Sequence, residues 1–197
     1  MSAPKLSPPV SGRVTVQRQL IYMQTIALID QILDEYTPYL QKDLLKYKNH
    51  VYRTFNLCVL LDIDSENRDK YAIASAFHDL GIWTNKTFDY LEPSIALAKK
   101  WLAKNNLLKW DVEISTMIDM HHKITPYQAN FANTVDTFRK ADWIDVSYGL
   151  LNAGLDKKRI KELNSNFPTK GFHRFLLQKS IQNILTHPLA PLPMFKK

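Results

Sequence analysis

From Tyr39 to Leu80 the sequence has neither glycine nor proline, and only five glycines occur in all 197 residues. Glycine and proline punctuate strands and turns, so a chain this poor in breakers favours long helices over many short strands. The apolar residues keep a matching rhythm. Leu20, Met23, Ile26, Ile29 and Leu33 step by three, three, three and four within Val16–Glu35, and Pro38 closes that stretch. Leu44, Tyr47, Val51, Phe55 and Cys58 step by three, four, four and three within Lys42–Asp62. Each series is one face of a helix.

Further helices follow the same logic. Arg68–Leu80 carries Ile73, Phe77 and Leu80 on one side, and its alanines keep it slim, with Gly81 as its expected stop. Pro93 suits the start of a helix capped by Glu92, and Asp111 and Asn133 suit the caps of two more. On the last of these, Val135, Phe138, Asp142 and Asp145 share a face. A final helix is expected over Phe172–Leu185. The expected fold is all-α, a single-domain bundle of six to eight helices over residues 14–187. A flexible Ser- and Pro-rich segment, 1–13, precedes it and a Pro-rich tail, 188–197, follows. No internal repeat is found.

Composition narrows the function classes. The single cysteine, Cys58, lies in the apolar run FNLCVLL and reads as a small buried hydrophobe, which excludes an internal disulfide framework. The N-terminus lacks an apolar signal core, and no apolar run approaches the ~20 residues of a membrane helix. The expectation is a soluble protein in a reducing, cytoplasmic setting, with no membrane partner. A net charge of +7 favours anionic ligands. The densest basic run, DKKRIKEL (Asp156–Leu163), contains acids as well and reads as a solvated helix face. No basic stripe with interleaved aromatics is present, so an anionic small-molecule substrate is expected and a nucleic-acid partner is not.

Against this background AIASAFHDLGIW, Ala72–Trp83, stands out. It ends an apolar run on an imidazole and a carboxylate, which are costly to bury unless something pairs them. Similar residues interrupt the apolar faces elsewhere: His50, His121 with His122, and Asp142. Imidazoles and carboxylates converging from several helices are how a bundle builds a metal site. A divalent cation would compensate the carboxylates and use the neutral imidazoles. Mixed nitrogen and oxygen donors suit Mn, Fe, Co, Ni or Zn, whereas Mg prefers oxygen alone. One ion is expected and a second is left open.

The order His50, His78–Asp79, Asp142 resembles the H…HD…D pattern of the HD-domain superfamily of metal-dependent phosphohydrolases. NHVYRT is similar to that family's first motif, a His with Arg three residues on. SAFHDLG is similar to the second, and FRKADWIDVS to the last, where Lys-Ala-Asp supplies the final ligand. The resemblance spans His50 to Asp145. It implies a helical bundle in which His50, His78, Asp79 and Asp142 hold one divalent metal. His121 or His122, in IDMHHK, would ligate a second ion where two are bound; a phosphate contact and simple pocket lining are the alternatives. Asp145 shares the face of Asp142, but its place in Lys-Ala-Asp favours Asp142.

Two departures are visible. The extra histidine that two-metal members often carry after the HD pair is missing, with Glu92 the nearest candidate. Ile82 stands where 5′-deoxynucleotidases often carry Glu, which leaves the general acid unassigned. The implied chemistry is attack by a metal-activated water on a nucleotide or other small phosphoester. Asp79 would orient or deprotonate the water, and Arg53 would meet the anionic substrate or, alternatively, form a surface or structural salt bridge. Lys86, Lys123 and Lys140 are further cationic candidates. The same scaffold also serves hydratases and di-iron oxygenases, and a non-catalytic nucleotide-binding module is a further alternative. His173 and His187 read as ordinary residues, and the four tryptophans as core or pocket walls.

Overall fold

Ten helices, eight of them ten residues or longer, account for the ordered elements of a computed structural model that describes residues 26–87 and 89–186. No strand occurs among the described residues. The order is α1 (Ile26–Glu35), α2 (Thr37–Leu40), α3 (Leu44–Leu61), α4 (Arg68–Phe77), α5 (Gly81–Thr84), α6 (Leu91–Lys104), α7 (Asp111–Met120), α8 (Ala132–Val146), α9 (Lys157–Asn166) and α10 (Phe172–Thr186). Single 3₁₀ turns at Gln41–Asp43, Ser65–Asn67 and Leu108–Trp110 lead into α3, α4 and α7. The expectations for residues 1–13, for the helix before Ile26, for His187 and for the tail lie outside the described residues.

Helix α4 is the centre of the bundle, and α1, α3, α6 and α7 all pack on it. Tyr71 through Phe77 are buried on every side. That is possible because Ala72, Ala74, Ser75 and Ala76 let the surrounding helices approach closely. Helix α3 contributes Tyr47, Val51, Phe55 and Cys58, all buried, as their spacing predicts. Its long neighbour is α8, which buries Val135, Phe138, Asp142 and Asp145. Cys58 is free and buried. The basic segment forms α9, with Asp156 accepting from the Lys158 amide and Ile160 and Leu163 turned inward. Among the described residues no helix is long and apolar enough to cross a membrane.

Several helix ends differ from the expectation. Gly81 does not stop α4 in a left-handed conformation. Helix α4 ends at Phe77, residues 78–80 form a tight turn, and Gly81 begins α5. The glycine is needed for close approach: a Cβ there would lie 2.5 Å from the Tyr90 carbonyl oxygen and 3.0 Å from Ser94 Oγ. Its amide donates to Ser94 Oγ at 3.0 Å, tying the turn to α6. Helix α6 begins at Leu91 with Tyr90 as its cap, so Glu92 lies in the first turn. Helix α8 begins at Ala132 behind Phe131, whose φ is +63°, and Asn133 is already helical. Asp111 is the first residue of α7 and accepts from Ser115 Oγ at 2.9 Å.

Candidate metal centre

Four elements deliver the polar residues to one point. Helix α3 supplies His50, one position before Val51 of its buried stripe. The turn after α4 supplies His78 and Asp79, the C-terminus of α7 supplies His121 and His122, and α8 supplies Asp142. His50, His78 and His121 are 0% exposed, with Asp142 at 2% and Asp79 at 3%.

The outer nitrogens of three imidazoles are already committed. His50 Nδ1 lies 2.6 Å from Asp145 Oδ2. His78 Nδ1 lies 2.8 Å from the Ser75 carbonyl oxygen, and His121 Nδ1 lies 2.6 Å from that of Ile118. Each partner only accepts, so each Nδ1 carries the hydrogen and each neutral ring turns a bare Nε2 lone pair inward. His50 Nε2 and His78 Nε2 then face one another at 2.9 Å. Two lone pairs at that distance repel unless a proton or a metal cation lies between them.

The carboxylates complete the pattern. Asp142 Oδ1 is 3.6 Å from both His50 Nε2 and His78 Nε2. Asp79 Oδ2 is 3.6 Å from His50 Nε2 and 3.5 Å from His78 Nε2, while its Oδ1 faces His121 Nε2 at 3.6 Å. Donor atoms bound at about 2.1 Å to one ion lie about 3.0 Å apart at right angles and about 3.4 Å apart at the tetrahedral angle. The spacings suit an ion held by His50, His78 and Asp142, or by His78, Asp79 and His121. They are too long for hydrogen bonds, and Asp79 Oδ1, Asp142 Oδ1 and His121 Nε2 are buried with no hydrogen-bond partner. Orphaned buried polar atoms call for an explanation, and cations held by these groups would supply one. Three groupings bring ligand atoms within 4.8 Å of one another: His50–His78–Asp142, His78–Asp79–His121, and His121–His122–Asp142. The last leaves room in the chemistry for a second ion.

Charge tells the same story. Asp145 is neutralised by Arg53, whose Nε donates to Oδ1 at 2.5 Å and Nη2 to Oδ2 at 2.9 Å. Among the described residues no guanidinium pairs with Asp79 or Asp142. Burial pushes both carboxyls up, but the surrounding imidazoles, His78 foremost, hold Asp79 well below the usual range and Asp142 below it too. Burial pulls His50 down, yet Asp145 and Asp79 outweigh it and raise His50 to about 9. His121 is raised by Asp79 and Asp142 against the same burial. Without a metal, protons on imidazoles balance the two carboxylates, and a divalent cation can replace them. His122 differs: burial and the neighbouring His121 push it down to about 3. Its Nε2 lies 2.6 Å from the Tyr90 hydroxyl.

The structure thus brings His50, His78, Asp79, Asp142 and His121 together, with His122 beside them. It corrects the reading of Arg53. That side chain is fully buried, with Nη1 donating to the Phe167 carbonyl at 2.8 Å and the rest of the fork on Asp145, so it does not face the cluster. Glu92 is exposed on α6 and belongs to none of the groupings. Lys140 pairs with Asp136 at 2.9 Å, and Lys86 is exposed.

Two features escape the sequence reading. Asp145 supports His50 instead of joining the ligands, and His173 Nε2 bonds the Asp145 carbonyl at 2.8 Å. Phe172 stacks on the His50 ring, centroids 4.0 Å apart, and closes the cluster from the side of α10. The Asp145 contact had a signal. His50 and Arg53 on α3 are three apart, as are Asp142 and Asp145 on α8, so two helices in register present matching pairs. Phe172, far along the chain, had none. Comparison of the chain with family models, with curated proteins and with solved structures returns no match.

Proposed function

We propose that this chain is a metal-dependent hydrolase, a phosphohydrolase of the HD type acting on a nucleotide or other small phosphoester. The observation that carries the reading is the His50–His78 pair, with Nε2 atoms 2.9 Å apart and facing Asp79 and Asp142, in the order of residues that resembles that family. His50, His78, Asp79 and Asp142 would hold the ion, which fits Mn, Fe, Co, Ni or Zn. When bound, such an ion supplies hydroxide near neutral pH and polarises a phosphoryl oxygen. Asp79 reaches in two directions, Oδ2 toward the His50–His78 pair and Oδ1 toward His121. One carboxylate can therefore ligate and accept the proton of the attacking water. With Arg53 committed to Asp145, the ion and a protonated His121, raised by Asp79 and Asp142, would meet the substrate's negative charge. The buried cluster and the lone buried thiol, Cys58, suit a soluble enzyme of the cytoplasm.

The test is elemental analysis of the purified protein, followed by phosphate release from a panel of nucleotides and small phosphoesters, with Asp79→Ala as control. Bound divalent metal and phosphate release lost in Asp79→Ala are expected. A protein that binds no metal, or an Asp79→Ala variant as active as wild type, overturns the reading. The grouping of His121, His122 and Asp142 favours a second reading, a two-ion oxygenase. It requires two irons per chain and uptake of oxygen in place of phosphate release.

A further inference from the structure

We infer that Asp145 is a positioning residue that selects the tautomer of His50 and so aims its Nε2 at the ion; this rests on the metal reading of the cluster. Neutral His50 has two tautomers. With hydrogen on Nδ1, the Nε2 lone pair enters the cluster. With hydrogen on Nε2, the ring donates to His78 Nε2 at 2.9 Å, an ordinary N–H···N distance. That second form closes the cluster on itself and withdraws two ligands at once. Locally it is well satisfied, so something must work against it.

Asp145 does so. Its carboxylate can only accept, and Oδ2 lies 2.6 Å from His50 Nδ1. It is pinned in that pose. The Arg53 fork holds both oxygens, Arg53 is anchored in turn on the Phe167 carbonyl, and His173 holds the Asp145 backbone oxygen. The same guanidinium cancels the charge of Asp145, which leaves it an acceptor for His50 and not a rival anion for the cation. Carboxylates behind metal-bound histidines act in this way in many sites.

The geometry makes a pointed test possible. In Asp145→Asn with Arg53→Met, no fork holds the amide, which can turn its oxygen to His50 Nδ1. In Asp145→Leu with Arg53→Met, Nδ1 has no acceptor and the Nε2–H tautomer is free to form. Cobalt affinity, followed by the visible absorption of the bound ion, should be about 10- to 100-fold lower with Asp145→Leu than with Asp145→Asn. A purely structural Asp145 predicts equal affinity in the two double variants. Far-UV circular dichroism identifies variants that fail to fold, and for these Asp145→Asn and Asp145→Leu with Arg53 kept make the same comparison, since one orientation of the amide still offers its oxygen to Nδ1. Equal cobalt affinity in the Asp145→Asn and Asp145→Leu proteins overturns the inference alone. Wild type that binds no cobalt overturns the metal reading and this inference with it.

Discussion

His50 and His78, on different helices and 28 residues apart in sequence, hold their Nε2 atoms 2.9 Å from each other with both outer nitrogens bonded to acceptors. In the metal-free protein this arrangement relies on a proton. His50 titrates at 6.5 unfolded and about 9 folded. A group whose value rises on folding stabilises fully below its unfolded value and stops doing so as pH passes its folded one. Metal-stripped protein should therefore lose stability between pH 6.5 and 9, on the order of 3 kcal/mol in all. Protein saturated with zinc or cobalt should not show this loss. Denaturant titrations of both forms across the window provide the check.

Gly81 tests the turn that aims the HD pair. A methyl group there meets the Tyr90 carbonyl at 2.5 Å, a backbone atom that cannot move aside cheaply. Gly81→Ala should destabilise by about 1–3 kcal/mol, read from the urea midpoint. Because Asp79 lies two residues away, it should also lower metal affinity. A variant as stable as wild type would mean that the approach of α6 does not constrain the turn.

Phe172 tests the cover. Its ring stacks on His50 and is fully buried. Phe172→Ala should cost about 3 kcal/mol or more of stability. It should also speed removal of bound metal by a chelator, followed by stopped-flow absorbance, because the ring separates His50 from solvent on that side. Unchanged extraction would place the route to the cluster elsewhere.

Asp62 tests the connection from α3 to α4. The carboxylate accepts from the Tyr71 hydroxyl at 2.6 Å, Asn67 Nδ2 at 2.9 Å and the Asp64 amide at 3.0 Å. Burial raises it, but these donors prevail and hold it below 3.8. A carboxyl lowered on folding stabilises above its unfolded value and loses that contribution as pH falls. Asp62→Asn should be less stable than wild type at pH 7, by about 1 kcal/mol, and the gap should narrow as pH falls below 3.8.

Much of this was legible because helical spacing is a local property. The buried stripes of α3, α4 and α8 follow from steps of three and four, and His50, His78, Asp79 and Asp142 stand out as polar residues on those faces. Helix ends were less legible, since they depend on what packs against them. Gly81 reads as a stop by local rules, but the Tyr90 carbonyl and Ser94 explain it. Arg53 reads as a substrate cation or as half of a salt bridge until α8 places Asp145 against it. Phe172 on His50 is a contact between distant parts of the chain, and no spacing announces it.

The central claim is that His50, His78, Asp79 and Asp142 share one divalent ion. Anomalous diffraction from crystals grown with zinc or cobalt tests it most directly. The account predicts a strong peak about 2.0–2.2 Å from His50 Nε2, His78 Nε2 and a carboxylate oxygen of each aspartate. A protein saturated with metal whose peaks all lie elsewhere, with the two imidazoles still facing each other across an ordinary hydrogen bond, would contradict it.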